Sequence, residues 1–300
     1  SRPTRTANTT FYGIYSNAST NSWFNANAIH NPNGGDLTPT SGLYPIYMTG
    51  DASVGNENLI SNNLIYDLSG TGTIYAIYDL GSDGANYVNN TISLDEVAST
   101  SGITRGFYQS AASSNSSFIN NVISITRGGS GIKHGIYLNN TSTSISVDYN
   151  SIFMNSAGSG AQNYGRLGSD YSTLTDWALN TSYGANSYEV NPAFVNPGAF
   201  DFVPSSGFLN NVGLSVPQVT TDYAGVVRGA NPDLGAFEFS PPANDAAISG
   251  LLNPVLPICP GTFLVEVELA NLGSANLTSA RVVWEVNGVK DSVSYTGNIA

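Results

Sequence analysis

The chain has 300 residues, a hydrophobic share of 41% and a net charge of −12, from 9 basic and 21 acidic side chains. The hydrophobic share supports a core and argues against disorder. The acidic balance argues against nucleic-acid binding, which needs a basic footprint, and disfavours an anionic membrane surface, while it suits calcium, neutral glycans or simple solubility.

Only 10% of residues are charged, and 32 Gly, 14 Pro and 17 Tyr fit an all-β chain rich in turns. A single cysteine, Cys259, excludes an internal disulfide and a zinc framework. The start, Ser1-Arg2-Pro3-Thr4-Arg5, lacks an apolar signal region, and no run is long enough to span a membrane. Both ends read as interior to a longer chain.

From the N-terminus a four-residue motif recurs. Tyr12-Gly13-Ile14-Tyr15 is followed by Tyr44-Pro45-Ile46-Tyr47, Tyr75-Ala76-Ile77-Tyr78, Arg105-Gly106-Phe107-Tyr108, His134-Gly135-Ile136-Tyr137 and Tyr164-Gly165-Arg166-Leu167. The small residue steps through 13, 45, 76, 106, 135 and 165, intervals of 32, 31, 30, 29 and 30. Self-similarity at this period means a stacked repeat fold. Residues 33–42 of the longest interval read as a surface loop.

A second motif marks another corner of each turn: Asn27-Ala28-Ile29, Asn62-Asn63-Leu64-Ile65, Asn90-Thr91-Ile92, Asn121-Val122-Ile123 and Asn150-Ser151-Ile152. Either Asn62 or Asn63 can be the equivalent residue. Asparagine tolerates the left-handed backbone of a sharp corner, and stacked asparagines can hydrogen-bond amide to amide along an axis. The apolar runs are short, β-branched and bounded by Asn, Gly and Ser, so strands are expected and helices are not. Three strands per coil, about six coils and roughly 4.8 Å per coil give a solenoid of roughly 29 Å.

These motifs resemble the right-handed parallel β-helix proteins, the pectate-lyase-like group. The series Asn191-Pro192-Ala193-Phe194, Asp201-Phe202, Asp222-Tyr223-Ala224-Gly225-Val226-Val227-Arg228 and Asp233-Leu234-Gly235-Ala236-Phe237-Glu238-Phe239 resembles the closing segment of such domains in large secreted Bacteroidetes-type surface proteins. The resemblance covers roughly residues 9–239. It implies the fold and a secreted or cell-surface setting, with type IX secretion, and no single activity.

On this reading residues 1–240 form the β-helix, with a closing segment at 191–239, and 241–245 form a linker. Residues 246–300 begin a β-sandwich. Phe263, Val265, Val267 and Leu269 alternate onto one face, Val282, Trp284 and Val286 onto another, and Asn287-Gly288 signals a hairpin. The pattern resembles bacterial adhesion-related immunoglobulin-like modules. About four strands are present, so the rest of the sandwich, and a partner for Cys259, are expected beyond Ala300.

A lyase of the resembled fold would need an acidic calcium cluster beside an Arg or Lys base, and a hydrolase stacked carboxylates. Asp67, Asp79, Asp83, Asp95, Glu96, Asp148, Asp170 and Asp176 mostly fall at different phases of the repeat, and Asp79 aligns with Gln109 and Leu138. No carboxylate ladder or calcium motif emerges, so no cofactor is assigned. Arg105, Lys133 and His134 form the best polar cluster, with Tyr75 and Tyr164 in the same column. They would grip an acidic sugar, or form a solvated outer face. Asp222, Arg228, Asp233 and Glu238 read as a network pinning the last segment over the open coil, against a metal or acid–base site as the alternative.

Ile14, Ile46, Ile77, Phe107 and Ile136 are expected in one inward column, with Arg166 marking its end. Tyr15, Tyr47, Tyr78, Tyr108 and Tyr137 are then expected to point outward. Such a strip can stack on sugar rings, or simply on itself. The expected role is a non-catalytic segment of a large secreted or cell-surface protein, an adhesin with glycan or surface contact. The candidate contact residues are Tyr47, Tyr78, Tyr108, Tyr137, Arg105, Lys133 and His134. Further domains of the same chain are its other expected partners. A polysaccharide lyase or glycoside hydrolase of the same fold and a ligand-free spacer are the alternatives.

Overall fold

A computed structural model describes residues 8–97, 101–254 and 261–300. Cys259 and the segment Ser1 to Arg5 lie outside the described residues. The chain winds into a parallel β-solenoid. Sheet A stacks Phe11–Asn17, Leu43–Thr49, Ile74–Asp79, Thr104–Gln109, Lys133–Leu138 and Gln162–Leu167, and the antiparallel strand Ser169–Tyr171 closes its far edge. Sheet B stacks Trp23–Asn25, Asn58–Ser61, Ala85–Val88, Ser117–Ile119 and Ser146–Asp148. Sheet C stacks Ala28–His30, Leu64–Tyr66, Thr91–Leu94, Val122–Ile125 and Ser151–Met154. The five strands of sheets B and C set five complete coils, one fewer than expected. The sixth copy of the first motif supplies a sheet A strand only.

The register explains the motifs. In each sheet A strand the two residues three apart that flank the small residue both face outward, tyrosine at both positions in the first three strands, because the small residue between them breaks the alternation. That small residue is the seat of the second motif. A Cβ on Gly106 would lie 2.7 Å from Ile123 Cγ2, and one on Gly135 2.4 Å from Ile152 Cγ2. The Gly-x-Tyr and Asn-x-Ile signatures are thus two sides of one contact across the core. Ile46, Ile77, Phe107 and Ile136 stack in register and are fully buried, and Ile14 is half-buried in the first coil.

The last copy needs a correction. Ile136 pairs with Gly165 and Tyr137 with Arg166, so Tyr164, not Gly165, occupies the small position. Arg166 continues the outward tyrosine column instead of ending the inward one. Coil symmetry fails here because a helix takes over. Helix α1, Leu174–Thr181, is capped by Thr173 Oγ1 accepting from Asp176 N at 3.2 Å. It buries Trp177 against Gly165, where a Cβ would lie 2.5 Å from the indole. Tyr164, Tyr171 and Tyr183 pack around that ring, and this aromatic group covers the open coil.

The two roles given to asparagine fall on neighbouring residues. Asn63, Asn90, Asn121 and Asn150 form the amide ladder with Asn27, each Nδ2 donating to the next Oδ1 at 2.9–3.1 Å. Asn63 is therefore the equivalent of Asn90. The left-handed residue precedes it at each corner: Ala26, Asn62, Asn89, Asn120 and Tyr149, with φ from 53° to 58°.

Residues 184–188 pair with the last strands of sheets B and C, Gly184 N donating to Val147 O and Tyr188 N to Asn150 O, but the closing segment 191–239 lies along the side of the solenoid and not over its end as expected. The left-handed asparagines fasten it. Asn62 Nδ2 donates to Thr221 O at 2.9 Å, Asn89 Nδ2 to Asp233 O at 3.0 Å, and Asn120 Nδ2 to Leu214 O at 2.7 Å. The Asn-Asn pairs at 62–63, 89–90 and 120–121 thus do two jobs, one along the axis and one sideways.

Residues 246–299 hold two separate antiparallel pairs, Ala246–Asn253 with Glu266–Asn271 and Leu277–Val286 with Val289–Ile299. Asn287 and Gly288 turn the second pair with φ of 51° and 83°, as a two-residue hairpin requires. Val282 and Trp284 are half-buried, but Val286 and Phe263 are exposed, so the expected inward faces are only partly covered.

Candidate functional site

Two outward columns run along sheet A. One is Tyr15, Tyr47, Tyr78, Tyr108, Tyr137 and Arg166; the other is Tyr12, Tyr44, Tyr75, Arg105, His134 and Asn163. The outward phase of the tyrosines follows from the buried Ile/Phe column beside them. Tyr15 is 56% exposed and Tyr47, Tyr78, Tyr108 and Tyr137 are half-buried. Tyr164 is absent from these columns, its place being held by Asn163.

The rings stack on one another. Tyr15 and Tyr47 are parallel at 5.1 Å, Tyr47 and Tyr78 lie at 4.6 Å, Tyr78 and Tyr108 at 4.9 Å, and Tyr108 and Tyr137 edge-on at 5.3 Å. The spacing follows from the rise between coils, which is close to a ring contact distance. Burial followed by the neighbouring phenols raises the Tyr47 hydroxyl above its ordinary pKa.

Arg105 and His134 are neighbours across the sheet, as the repeat implied, but neither forms a solvated face. The Arg105 guanidinium carbon sits 4.6, 4.2 and 3.6 Å from the centroids of Tyr75, Tyr108 and Tyr137, and the residue is 9% exposed. Its charge is absorbed by three ring faces. His134 is 1% exposed and holds Asp170 Oδ1 at 3.0 Å, while Arg166 donates to the same oxygen at 2.8 Å. Burial keeps the imidazole below its ordinary pKa although Asp170 pulls the other way. The neutral ring therefore donates its Nε2 proton to the carboxylate. Asp170 stays below the usual carboxylate range: burial alone would raise it, but bonds from Arg166 and His134 outweigh that.

Lys133 does not belong to this cluster. It faces the interior, fully buried, and its Nζ donates to Gly129 O at 3.1 Å and Gly131 O at 2.9 Å. Burial first and the charge of Arg127 second push its pKa down. Strand alternation is the reason, since Lys133 and His134 are consecutive and must face opposite ways. An acidic-sugar grip by Arg105, Lys133 and His134 is thus not assembled.

Arg127, which the sequence reading passed over, is fully buried. It donates to Gly70 O, Gly72 O, Gly102 O and Thr104 Oγ1, and burial pushes its pKa down to about 10. It gathers carbonyls at the corner where Gly72, Gly102, Gly131 and Gly160 stack. A Cβ on Gly102 would lie 1.9 Å from Gly72 O. The signal was present as glycines at intervals of 30, 29 and 29, obscured by the many other glycines.

The closing cluster is a pin. Arg228, 9% exposed, donates to Glu238 Oε1 at 2.6 Å, Asn62 Oδ1 at 2.8 Å and Gly235 O at 2.9 Å. Both oxygens of Asp222 and of Asp233 accept backbone N–H groups. Their lone pairs hold turns in place. Asp67 and Asp95 lie near Glu96, and burial followed by their neighbours' charge raises Asp95. Asp79 faces the core, accepting from Gly81 N, Ser82 N and Gln109 Nε2. Among the described residues no three His, Cys, Asp or Glu side chains are grouped to hold a metal ion, and no helix is long and apolar enough to cross a membrane. No family model, curated protein or solved structure matches this chain.

Proposed function

We propose that this chain is a non-catalytic segment of a larger secreted or cell-surface protein, and that it contacts glycan through the tyrosine strip of sheet A. The observation that carries this reading is the pair of outward columns, in which Tyr12, Tyr15, Tyr44, Tyr47, Tyr75, Tyr78, Tyr108 and Tyr137 form a continuous aromatic face across five coils. A surface apolar in body and hydroxylated at its tips suits the faces and edges of sugar rings. The ring-covered charge of Arg105 and the neutral, buried ring of His134 favour neutral over acidic sugars. The pectate-lyase-like, right-handed character of the solenoid, an origin in a Bacteroidetes-type surface protein exported by type IX secretion, and an immunoglobulin-like module after residue 245 belong to the same proposal. They rest on the motifs quoted above.

A lyase or hydrolase finds less support, because the closing-cluster carboxylates and the cations Arg105 and Lys133 are all committed to internal partners. The ring-on-ring contacts support a second reading, a spacer whose tyrosines only brace the sheet. A glycan array on the whole 300-residue chain separates the two. Binding is expected, and expected to vanish when Tyr78, Tyr108 and Tyr137 are changed together to Ser. Binding that survives the triple change removes the strip as the site, and no binding by the parent chain leaves the spacer.

A further inference from the structure

We propose a second saccharide site, a cleft on the outer face of sheet B with Trp23 as its stacking platform and a neutral sugar as its ligand. It lies on a different sheet from the tyrosine strip and stands whether or not the strip binds. The cleft has a volume of about 330 Å³ and lies between the sheet and the closing segment, which contributes Val216 and Gln218 to its lining. Leu59, Val88 and Ile119 make an apolar floor. Glu57, Asn86, Ser117 and Gln218 supply polar groups around it.

Trp23 is 63% exposed, and no other ring stacks on it among the described residues. A tryptophan used for packing would be mostly covered. The polar groups are already oriented. Glu57 Oε1 accepts from Gly55 N at 2.9 Å and Asn115 Nδ2 at 2.8 Å, which keeps the carboxylate ionised, the Gly55 bond having the larger effect. Asn86 Oδ1 accepts from Ser117 Oγ at 2.7 Å, so the bonds described leave its amide N–H groups uncommitted.

An exposed indole beside an apolar floor, with a fixed carboxylate acceptor and amide donors, matches a pyranose. The ring's C–H face stacks on the indole and its hydroxyls exchange hydrogen bonds with Glu57 and Asn86. The ionised Glu57 and the net charge of −12 select against uronic acids and sulfated sugars. The volume is near the lower end of ligand pockets, roughly 300–1,000 Å³, so the site takes one end of a glycan.

The test uses the whole chain with cellotetraose, maltotetraose, mannotetraose and trigalacturonate as probes, in isothermal titration calorimetry. At least one neutral tetrasaccharide is expected to bind. Trp23→Ala should weaken that binding at least tenfold, about 1.4 kcal/mol, without lowering the melting temperature. Trp23→Phe should retain part of it, and the triple Tyr78, Tyr108, Tyr137 to Ser change should leave this cleft's binding intact. The proposal is overturned if no neutral probe binds, if Trp23→Ala binds as the parent does, if only the tyrosine variant loses binding, or if trigalacturonate is preferred.

Discussion

Phe107 stacks on Phe118 at 4.4 Å and on Tyr87 at 5.1 Å, at the centre of the core where the large rings of two sheets meet. Phe107 is fully buried, so Phe107→Ala should cost roughly 3–5 kcal/mol in chemical denaturation. Arg228 is a different case, a buried cation whose removal strands Glu238 and Asn62. Arg228→Met should also cost roughly 3–5 kcal/mol, and an unchanged melting temperature would remove its pinning role. His134 makes a pH-dependent contribution. Its native pKa is depressed below the 6.5 of the free residue, so the unfolded chain binds more protons as pH falls below that value. Stability should therefore fall with pH below about 6.5, and His134→Gln should flatten the curve. Asp233, which burial raises to about 6, acts in the opposite sense, its stabilising protonation being lost as pH rises through that value. Because Asp233 is common to both proteins, the difference between the two curves reports His134 together with its bonded partner Asp170.

At the scale of the element, the asparagine ladder tests how coils are held in register. Asn121 Nδ2 donates to Asn150 Oδ1, Tyr87 O and Ile119 O, and Asn121 Oδ1 accepts from both Asn90 N and Asn90 Nδ2. Asn121→Ala leaves several of these buried groups unpaired, at about 1–3 kcal/mol for each uncompensated one. Asn120→Ala removes a residue of the same type one position away with a different consequence. It strains a backbone with φ of 58° and loosens the closing segment at Leu214. Hydrogen exchange should separate the two: faster exchange in sheets B and C for Asn121→Ala, and around residues 211–219 for Asn120→Ala.

At the scale of the molecule, a solenoid is a stack of nearest-neighbour contacts, so its ends matter more than its middle. Trp177 is the plug of the last coil. Trp177→Ala should fray the structure from that end. Native-state hydrogen exchange should lose protection first in Gln162–Leu167 and Ser151–Met154 and last in Ile74–Asp79 and Thr91–Leu94. Uniform loss of protection along all coils would mean that the solenoid unfolds as one unit and that α1 is no local cap.

The sequence by itself determined the solenoid, its period, the inward Ile/Phe column and the outward tyrosines, because each coil repeats the same short contact and strand alternation does the rest. It also carried the recurring asparagine, but whether that residue turns the corner or builds the amide ladder, and whether Asn62 or Asn63 belongs to it, was decided by the contacts between coils. Tertiary structure alone decided what lies outside the period. The shift at Tyr164 comes from Trp177, which arrives from a helix that repeats nothing. The placing of the closing segment on the side of the solenoid depends on contacts such as Asn62 with Arg228, which are 166 residues apart. Lys133 turned inward because a polar residue next to His134 has no choice of face once the register is set. The burial of Arg105 was equally hidden, because its charge is met by the faces of three tyrosines contributed by three different coils, and a pattern read along one strand does not report what the neighbouring strands fold over it.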